Sequence, residues 1–175
     1  MSENPPDRSG QEPGSDAGKY LRFAVIAALV IVLDQLSKLV VLNTIPLYDS
    51  VPVVPGFFHL THIQNPGGAF GFLARQGALV RNIVFLFASA VALCLIFIFY
   101  RNTPRTYRWL GAGFALIFGG AVGNLIDRVR LGRVVDFLDV FIAEYHWPAF
   151  NVADSAVTIG IGIFIFHILL NRMPR

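Results

Sequence analysis

The chain has few charged residues and almost no cysteine. Of its 175 residues, 14% are Asp, Glu, Lys or Arg, 55% are hydrophobic, and Cys94 is the only cysteine. Soluble domains carry about 25% charged residues, so the charge here is too sparse for a surface that faces water. A single cysteine also excludes an intrachain disulfide. The composition therefore excludes a soluble enzyme, a disordered chain and a secreted domain held together by disulfides.

Blocks of basic residues are missing as well. The formal net charge is only +3, and the chain has no lysine-rich run that would bind nucleic acid. We therefore expect no nucleic-acid partner. The acidic residues are distributed unevenly: four of the eleven lie in the first 19 residues, and five of the other seven lie between Asp127 and Asp154.

The sequence does contain four long apolar runs. They predict helices over about residues 21–42, 82–100, 109–126 and 152–170. About 20 helical residues cross the ~30 Å hydrocarbon core of a bilayer, so each run can span it once. Runs of this length favour helices over a barrel. We predict an all-α membrane protein with four transmembrane helices in a domain over residues 20–172, after a disordered cytoplasmic tail over residues 1–19.

The first apolar run resembles the start of a secretory signal peptide, because Lys19 and Arg22 flank its beginning. No small-x-small cleavage site follows it, and apolar residues resume after Lys38. We therefore predict that this helix is retained in the mature protein.

The placement of Lys and Arg predicts the orientation of the chain in the membrane. Eight of the fourteen basic residues lie in the tail, the short second loop and the C-terminus: Arg8, Lys19, Arg22, Arg101, Arg105, Arg108, Arg172 and Arg175. The first loop, about residues 43–80, holds only Arg75, with Arg81 at its border. The third loop, 127–151, holds three arginines, which stand beside acids. The positive-inside rule therefore places both termini in the cytoplasm.

The first outer loop carries a strand signal. Residues 52–64 are rich in β-branched and aromatic side chains, and they end at the turn sequence Asn65-Pro66-Gly67-Gly68. We predict a strand or hairpin here, lying on the outer face of the membrane between helices 1 and 2. Gly67, Gly68 and Gly71 are candidate hinges of this loop.

Polar side chains at membrane depth are few, and each is a candidate functional residue. Asp34 and Lys38 are spaced i, i+4, which predicts an ion pair on one helix face. Asn124 and Arg128 have the same spacing at the end of a glycine-rich stretch that allows close helix packing. For these two residues, a role in clamping a substrate backbone and a purely structural role both remain open.

Asp136 and Asp154 are the candidate catalytic pair. Asp154 lies in the first turn of the fourth predicted helix, and Asp136 lies in a loop that returns to the same membrane face. Two carboxylates held close together cannot both ionise, so one stays protonated. The pair then supplies a base for water and an acid for the carbonyl oxygen, as aspartyl peptide hydrolysis requires. The positive helix end favours charge on Asp154, which makes it the candidate base.

The same residues also allow a structural interpretation. Asn151 could cap the fourth helix, with Asp154 as its third residue in a variant of the capping box. Asp136 could be a solvated loop acid paired with Arg133. Spacing alone leaves the catalytic and the structural interpretations open.

The histidines do not predict a metal site. His59 and His62 are three residues apart on a predicted strand and would face opposite sides of it. His167 lies roughly 20 Å from Asp154 at the helical rise of 1.5 Å per residue. We therefore expect no metal and no cofactor.

Four ordered blocks resemble the bacterial lipoprotein signal peptidases, also called signal peptidase II. They are residues 65–70 (NPGGAF), 123–128 (GNLIDR), 134–137 (VVDF) and 150–155 (FNVADS), together with Asp34, Gln35, Ser37 and Lys38 on the first helix. The similarity covers about residues 20–172. The chain departs from the family at Gly68, where the family usually has Ala.

The resemblance implies an aspartyl endopeptidase of the bacterial inner membrane, with its active site near the periplasmic face and a small β-rich periplasmic cradle between helices 1 and 2. Such enzymes remove the signal peptide of prolipoproteins just before a diacylglyceryl-modified cysteine. The catalytic pair maps onto Asp136 and Asp154, and the residues that position the substrate map onto Asn65, Asn124, Arg128 and Asn151. Asp34, Lys38 and Gly67 take supporting roles. The expected partners are lipid-modified prolipoproteins, membrane lipids and the inhibitory cyclic peptide globomycin, and we expect a monomer.

Two other classes of protein could use the same acids. A small proton-coupled transporter would place acids at several depths along one path. A non-catalytic membrane assembly subunit would use them as helix caps and interhelical ties.

Overall fold

The structure, a computed structural model of the chain, describes residues 15–67 and 77–170. It contains four helices and four strands in the order α1 (Ser15–Thr44), β1 (Ser50–Val54), β2 (Phe58–Asn65), α2 (Ala78–Asn102), α3 (Arg108–Leu131), β3 (Val134–Ile142), β4 (Tyr145–His146) and α4 (Val152–Leu169). All four helices are long and apolar enough to cross a membrane. The predicted fold class, a four-helix membrane protein with a small β element, is confirmed.

Helix α3 lies at the centre of the bundle and packs against α1, α2 and α4. Glycines allow this close approach: a Cβ on Gly119 would lie 2.9 Å from the Ala27 carbonyl oxygen, and one on Gly123 would lie 2.6 Å from Asp34 Oδ2. Small residues at such contacts let helix backbones approach each other in a membrane. The structural role predicted for the glycine-rich stretch is therefore confirmed.

The outer faces of the helices expose large apolar side chains. Phe87 on α2 is 71% exposed and Trp109 on α3 is 76% exposed, and many leucines, valines and isoleucines accompany them. A soluble monomer does not expose apolar patches of this extent. These faces are suited to contact with lipid.

Helix α1 begins at Ser15, so the prediction that the tail extends to Lys19 was wrong for its last five residues. Residues 1–14 lie outside the described residues. The buried Lys19 Nζ donates hydrogen bonds to the carbonyl oxygens of Arg101 and Thr103, and Tyr100 Oη donates one to the Lys19 carbonyl oxygen. These contacts with the end of α2 stabilise the first turns of α1.

The other helix boundaries also differ from the prediction. Helix α3 continues to Leu131 instead of ending near residue 126, because Asp127 is buried and paired and does not need to leave the bundle. The helix ends at Gly132, whose φ of 69° is the left-handed conformation that glycine adopts readily. Helix α2 is longer than predicted at both ends, α1 extends to Thr44, and α4 ends one residue early.

The four strands form one antiparallel sheet in the order β1-β2-β3-β4. The β1–β2 hairpin, which turns at Gly56 with φ 76°, confirms the strand signal of the first loop. The prediction missed β3 and β4, which come from the third loop. Strand β3 pairs with β2, so it covers an edge of the hairpin that would otherwise expose unpaired backbone groups. This pairing brings Asp136 opposite Ile63 and joins the two outer loops.

Candidate active site

Asp136 and Asp154 line the same cavity. Asp136 lies on β3 and Asp154 lies in the first turn of α4, and the cavity between these elements has a volume of about 860 Å³. Further polar side chains of the lining come from β2, α3 and α4: Asn65, Asn124, Arg128, Ser155 and Thr158. The structure therefore brings together the residues that the sequence places at one membrane face.

The Asp136 carboxylate is buried and accepts two amide hydrogen bonds. It is 4% exposed, its Oδ1 accepts from Asn151 Nδ2 at 2.8 Å, and its Oδ2 accepts from Asn65 Nδ2 at 3.1 Å. The alternative of a solvated loop acid is therefore wrong. Burial, followed by repulsion from Asp154, raises the pKa of Asp136 to about 7, although the amides of Asn65 and Asn151 and the charge of Lys38 act in the opposite direction.

The Asp154 carboxylate has a different environment. Its Oδ1 accepts a hydrogen bond from Asn124 Nδ2 at 2.8 Å, and its backbone N–H donates to Asn151 Oδ1 at 2.9 Å. Asn151 is thus the N-cap of α4, as the structural interpretation predicted. The cap and the candidate catalytic role do not exclude each other, since the cap uses the backbone of Asp154 and leaves its carboxylate at the cavity.

Asn124 and Asn151 connect the two aspartates. Asn151 Nδ2 lies 3.3 Å from Asn124 Oδ1, which gives a continuous path from Asp136 through Asn151 and Asn124 to Asp154. The predicted role of these asparagines was substrate positioning. In this structure each side-chain amide is bonded to a carboxylate, so both residues orient the acids.

The predicted ion pair between Asp34 and Lys38 is confirmed, with Nζ and Oδ2 2.8 Å apart. Lys38 Nζ also contacts Asp127 Oδ2 at 2.9 Å and donates to Asn124 Oδ1 at 2.9 Å. Gln35 Nε2 donates to Asp127 Oδ1 at 3.0 Å. The sequence analysis missed Asp127 and Gln35 as parts of this network. The i, i+3 spacing of Asn124 and Asp127 was the signal that could have placed both on one face of α3.

Asn65 and Gly67 shape the other side of the cavity. The Gly67 N–H donates to Asn65 Oδ1 at 3.0 Å, which leaves Asn65 Nδ2 directed at Asp136. The supporting role of Gly67 stays a prediction. Gly68 and Gly71, the other candidate hinges, lie outside the described residues.

Arg128 lies at the cavity with its guanidinium over the ring of Phe85, 4.2 Å from the ring centroid. This cation–π contact holds Arg128, the only cation among the described residues that line the cavity, beside α2. The charge of Arg128 also acts on Asp136 and Asp154. The role of Arg128 in positioning the substrate stays a prediction.

Comparisons with known proteins agree with this geometry. A family described as "Signal peptidase (SPase) II" matches residues 26–170. The chain belongs to the signal peptidase II family. It is 51% identical to the lipoprotein signal peptidase of Desulforapulum autotrophicum over 154 residues, which cover 88% of this chain and 95% of that protein. It is 45% identical to the lipoprotein signal peptidase of Geobacter metallireducens over 150 residues, covering 86% and 91%.

Solved structures show the same fold. A bacterial membrane enzyme determined by the in meso method at 2.3 Å resolution is 31% identical, with a TM-score of 0.77 over 90% of this chain and 91% of the other. Membership of the signal peptidase II family makes this chain a membrane-bound aspartic peptidase. The transporter and assembly-subunit alternatives are therefore wrong.

The histidines of this signal peptidase II member have structural contacts. His62 Nδ1 lies 2.8 Å from the Ile45 carbonyl oxygen, the His59 ring packs against Phe141, and His167 Nδ1 lies 2.8 Å from the Ile163 carbonyl oxygen. Within residues 15–67 and 77–170, no group of three or more His, Cys, Asp or Glu side chains is placed to hold a metal ion.

Proposed function

We propose that this enzyme cleaves diacylglyceryl-modified prolipoproteins just before the lipidated cysteine, with Asp136 and Asp154 as its catalytic pair. The observation that carries the proposal is the shared cavity, in which both carboxylates are held through one chain of asparagine amides. Two carboxylates and one water molecule suffice for peptide hydrolysis, so the mechanism needs no cofactor.

The two aspartates take different roles in the mechanism. Asp136 is the acid, because its raised pKa of about 7 keeps it largely protonated below neutral pH. Asp154 is the base, because the N-terminus of α4 favours its negative charge. Asp154 removes a proton from water, the water attacks the scissile carbonyl carbon, and Asp136 donates a hydrogen bond to the developing oxyanion. The oxyanion then collapses, the C–N bond breaks, and Asp154 gives the proton it took from water to the departing amine, which returns Asp154 to its charged form and leaves Asp136 protonated.

Substrate binding uses the remaining groups of the cavity. Arg128 lies in the cavity lining and contributes a positive charge, while Val157 and Ile159 of α4 give the cavity an apolar wall. A lipidated signal peptide presents both backbone carbonyls and apolar groups, which match these two kinds of surface. Asn65 completes the site at the β2 side.

The enzyme lies in the bacterial inner membrane, with both termini in the cytoplasm and the catalytic pair near the periplasmic face. Support comes from a small cleft at one end of the bundle, which is lined by Lys19 and Arg22 of α1 and by Arg105 and Arg108 near the start of α3. Clusters of Lys and Arg mark the cytoplasmic side of membrane proteins. We expect the enzyme to act as a monomer and to bind globomycin at the catalytic cavity.

Cleavage of a lipidated prolipoprotein by the enzyme purified in detergent tests the catalytic pair. Asp136→Asn and Asp154→Asn should each lower the cleavage rate by at least 1000-fold, a loss typical for a group that acts in the transition state. Asp139→Asn, on the same strand but outside the cavity lining, should retain activity. Normal cleavage by both active-site variants in folded form would refute the pair, and mass spectrometry of the product defines the cleaved bond.

The orientation has a separate test. In a Cys94→Ser background, Tyr145→Cys and Thr106→Cys place single thiols at exposed positions of the third and second loops. A membrane-impermeant maleimide added to spheroplasts should label position 145 and leave position 106 unlabelled until the membrane is opened. The reverse pattern would contradict the orientation.

A further inference from the structure

A second pair of buried acids holds the backbone next to each proposed catalytic aspartate. Asp127 Oδ2 accepts a hydrogen bond from the N–H of Val135, the residue before Asp136, at 3.0 Å. Asp34 Oδ1 accepts one from the N–H of Ala153, the residue before Asp154, at 2.9 Å. The two acids come from different helices, α3 and α1, yet each makes the same contact.

Lys38 joins these two acids. Its Nζ lies 2.8 Å from Asp34 Oδ2 and 2.9 Å from Asp127 Oδ2, and its third hydrogen bond goes to Asn124 Oδ1 at 2.9 Å. The side chain is 2% exposed, so all three of its N–H donors are used inside the protein. Burial of three charges is costly, and replacing such a group by apolar residues often stabilises a protein. Stability alone is therefore a weak reason for this arrangement.

The two backbone groups would otherwise lack partners. Val135 lies where β3 has no second neighbouring strand, and its N–H is satisfied by Asp127 while its carbonyl oxygen accepts from Asn151 Nδ2 at 3.2 Å. Ala153 is in the first turn of α4, where N–H groups have no partner within the helix. Asp34 supplies that partner from α1, and its charge also interacts favourably with the helix N-terminus.

We propose that Asp34, Lys38 and Asp127 form a positioning triad that fixes the backbone of both catalytic aspartates relative to each other. The proposal rests on the catalytic assignment of Asp136 and Asp154 made above. Asp127 positions Asp136, and Asp34 positions Asp154; we call these two contacts the arms of the triad. Lys38 sets the distance between Asp127 and Asp34. A displacement of about 1 Å at a reacting group can cost roughly 100-fold in rate, so this rigidity bears directly on turnover.

The triad also affects the charge balance of the site. The charged groups around Asp136 are Asp154 on α4, Arg128 and Asp127 on α3, and Asp34 and Lys38 on α1. Replacing Asp127 by Asn removes a negative charge while Lys38 keeps its positive one. Loss of the Asp136 proton should then occur at a lower pH, because the site becomes more positive.

Hydrogen exchange tests each arm of the triad independently of activity. Asp127→Ala should speed amide exchange in a peptide covering residues 133–138 and leave residues 152–156 protected. Asp34→Ala should do the reverse. If either variant lost protection equally in both peptides, the whole bundle would have loosened, and the two-arm arrangement would be overturned. Unchanged exchange in both peptides would also overturn it.

Cleavage kinetics per folded molecule test the effect on turnover. Asp127→Ala should lower kcat by about 10–100-fold and change KM by less than about 3-fold. Asp127→Asn, which keeps an acceptor oxygen for the Val135 N–H, should recover most of this loss, and the alkaline limb of its pH profile should shift by about 0.5–1 unit to lower pH. Asp49→Ala, an exposed acid of the first loop, is the control.

Wild-type kcat and an unshifted pH profile in folded Asp127→Ala and Asp127→Asn would overturn the triad. If Asp127→Ala does not fold, Asp34→Ala carries the kinetic test, with Asp34→Asn, which keeps the acceptor oxygen, as its rescue variant, and the pH profile of Asp127→Asn tests the charge balance. Failure of the catalytic assignment gives a different result, in which Asp136→Asn and Asp154→Asn still cleave the substrate.

Discussion

Asn151 Nδ2 donates a hydrogen bond of 2.8 Å to Asp136 Oδ1, so the residue that caps α4 also holds the carboxylate on β3. The same side chain accepts the Asp154 N–H through its Oδ1. The start of a transmembrane helix and the start of a β-strand are therefore fixed to each other by one fully buried amide.

Substitution of Asn151 should separate its two roles. Asn151→Ala removes the cap, at a cost of about 1 kcal/mol in the free energy of unfolding, and it also releases Asp136. Asn151→Ser keeps a capping oxygen but has no amide to donate to Asp136. We expect Asn151→Ser to be more stable than Asn151→Ala, because it keeps the cap, and yet to cleave the substrate at least 10-fold more slowly than wild type. Wild-type cleavage by Asn151→Ser would show that the amide bond to Asp136 is dispensable.

The raised pKa of Asp136 makes stability depend on pH. The folded state holds a proton up to about pH 7, whereas the unfolded state releases it near the ordinary value of 3.8. The contribution of this group to the free energy of unfolding is therefore fully present below about pH 4 and is lost as the pH rises to about 7. In thermal unfolding scans from pH 5 to pH 8, the Tm of Asp136→Asn relative to wild type should increase with pH. A constant difference would contradict the raised pKa.

Phe85 should affect substrate binding through Arg128. Phe85→Leu removes the ring beneath the guanidinium, a contact worth about 0.5–1 kcal/mol, while keeping an apolar side chain of similar reach. We expect KM for the lipidated substrate to rise roughly 2–5-fold, with kcat little changed. Phe87→Leu, on the exposed face of the same helix, is the matched control. If both variants raised KM equally, the cause would be the lipid-facing surface of α2 and not the contact between Phe85 and Arg128.

Gly123 should tolerate no larger side chain. A Cβ there would lie 2.6 Å from Asp34 Oδ2 and press on the carboxylate that holds Ala153. We expect Gly123→Ala to lower the free energy of unfolding by about 1–3 kcal/mol and to reduce cleavage. Gly162→Ala, where a Cβ meets nothing within 4 Å, should be neutral or slightly stabilising. A neutral Gly123→Ala would show that α1 and α3 can move apart at this point.

The position of a helix end was predictable only where the cause is local. Helix α4 was predicted within one residue, because its cap, Asn151, adjoins the apolar run. Helix α3 was predicted five residues short, because Asp127 and Arg128 look like the polar end of a span. Lys38, on another helix, neutralises Asp127 and allows the helix to continue.

The strands show the same distinction. The β1–β2 hairpin has a local pattern of β-branched and aromatic residues, and its position was predicted. Strand β3 was missed, since it is defined by its pairing with β2 rather than by an alternating pattern: its first four residues are all buried. Its sequence, VVDFLDVFI, does not alternate between apolar and polar residues, and without that alternation periodicity does not distinguish a buried strand from a buried helix segment.

By itself, the sequence determined that this protein lies in a membrane, how many times it crosses, and which acids are candidates for catalysis. Those properties depend on hydropathy over about 20 residues and on short motifs, and both are local. Tertiary structure alone decided which partner each acid has. Asn65 reaches Asp136 across 71 residues of sequence, and Asp34 reaches Ala153 across 119. Contacts between such distant residues depend on how the helices pack, and packing here depends on glycines whose neighbours are on other helices.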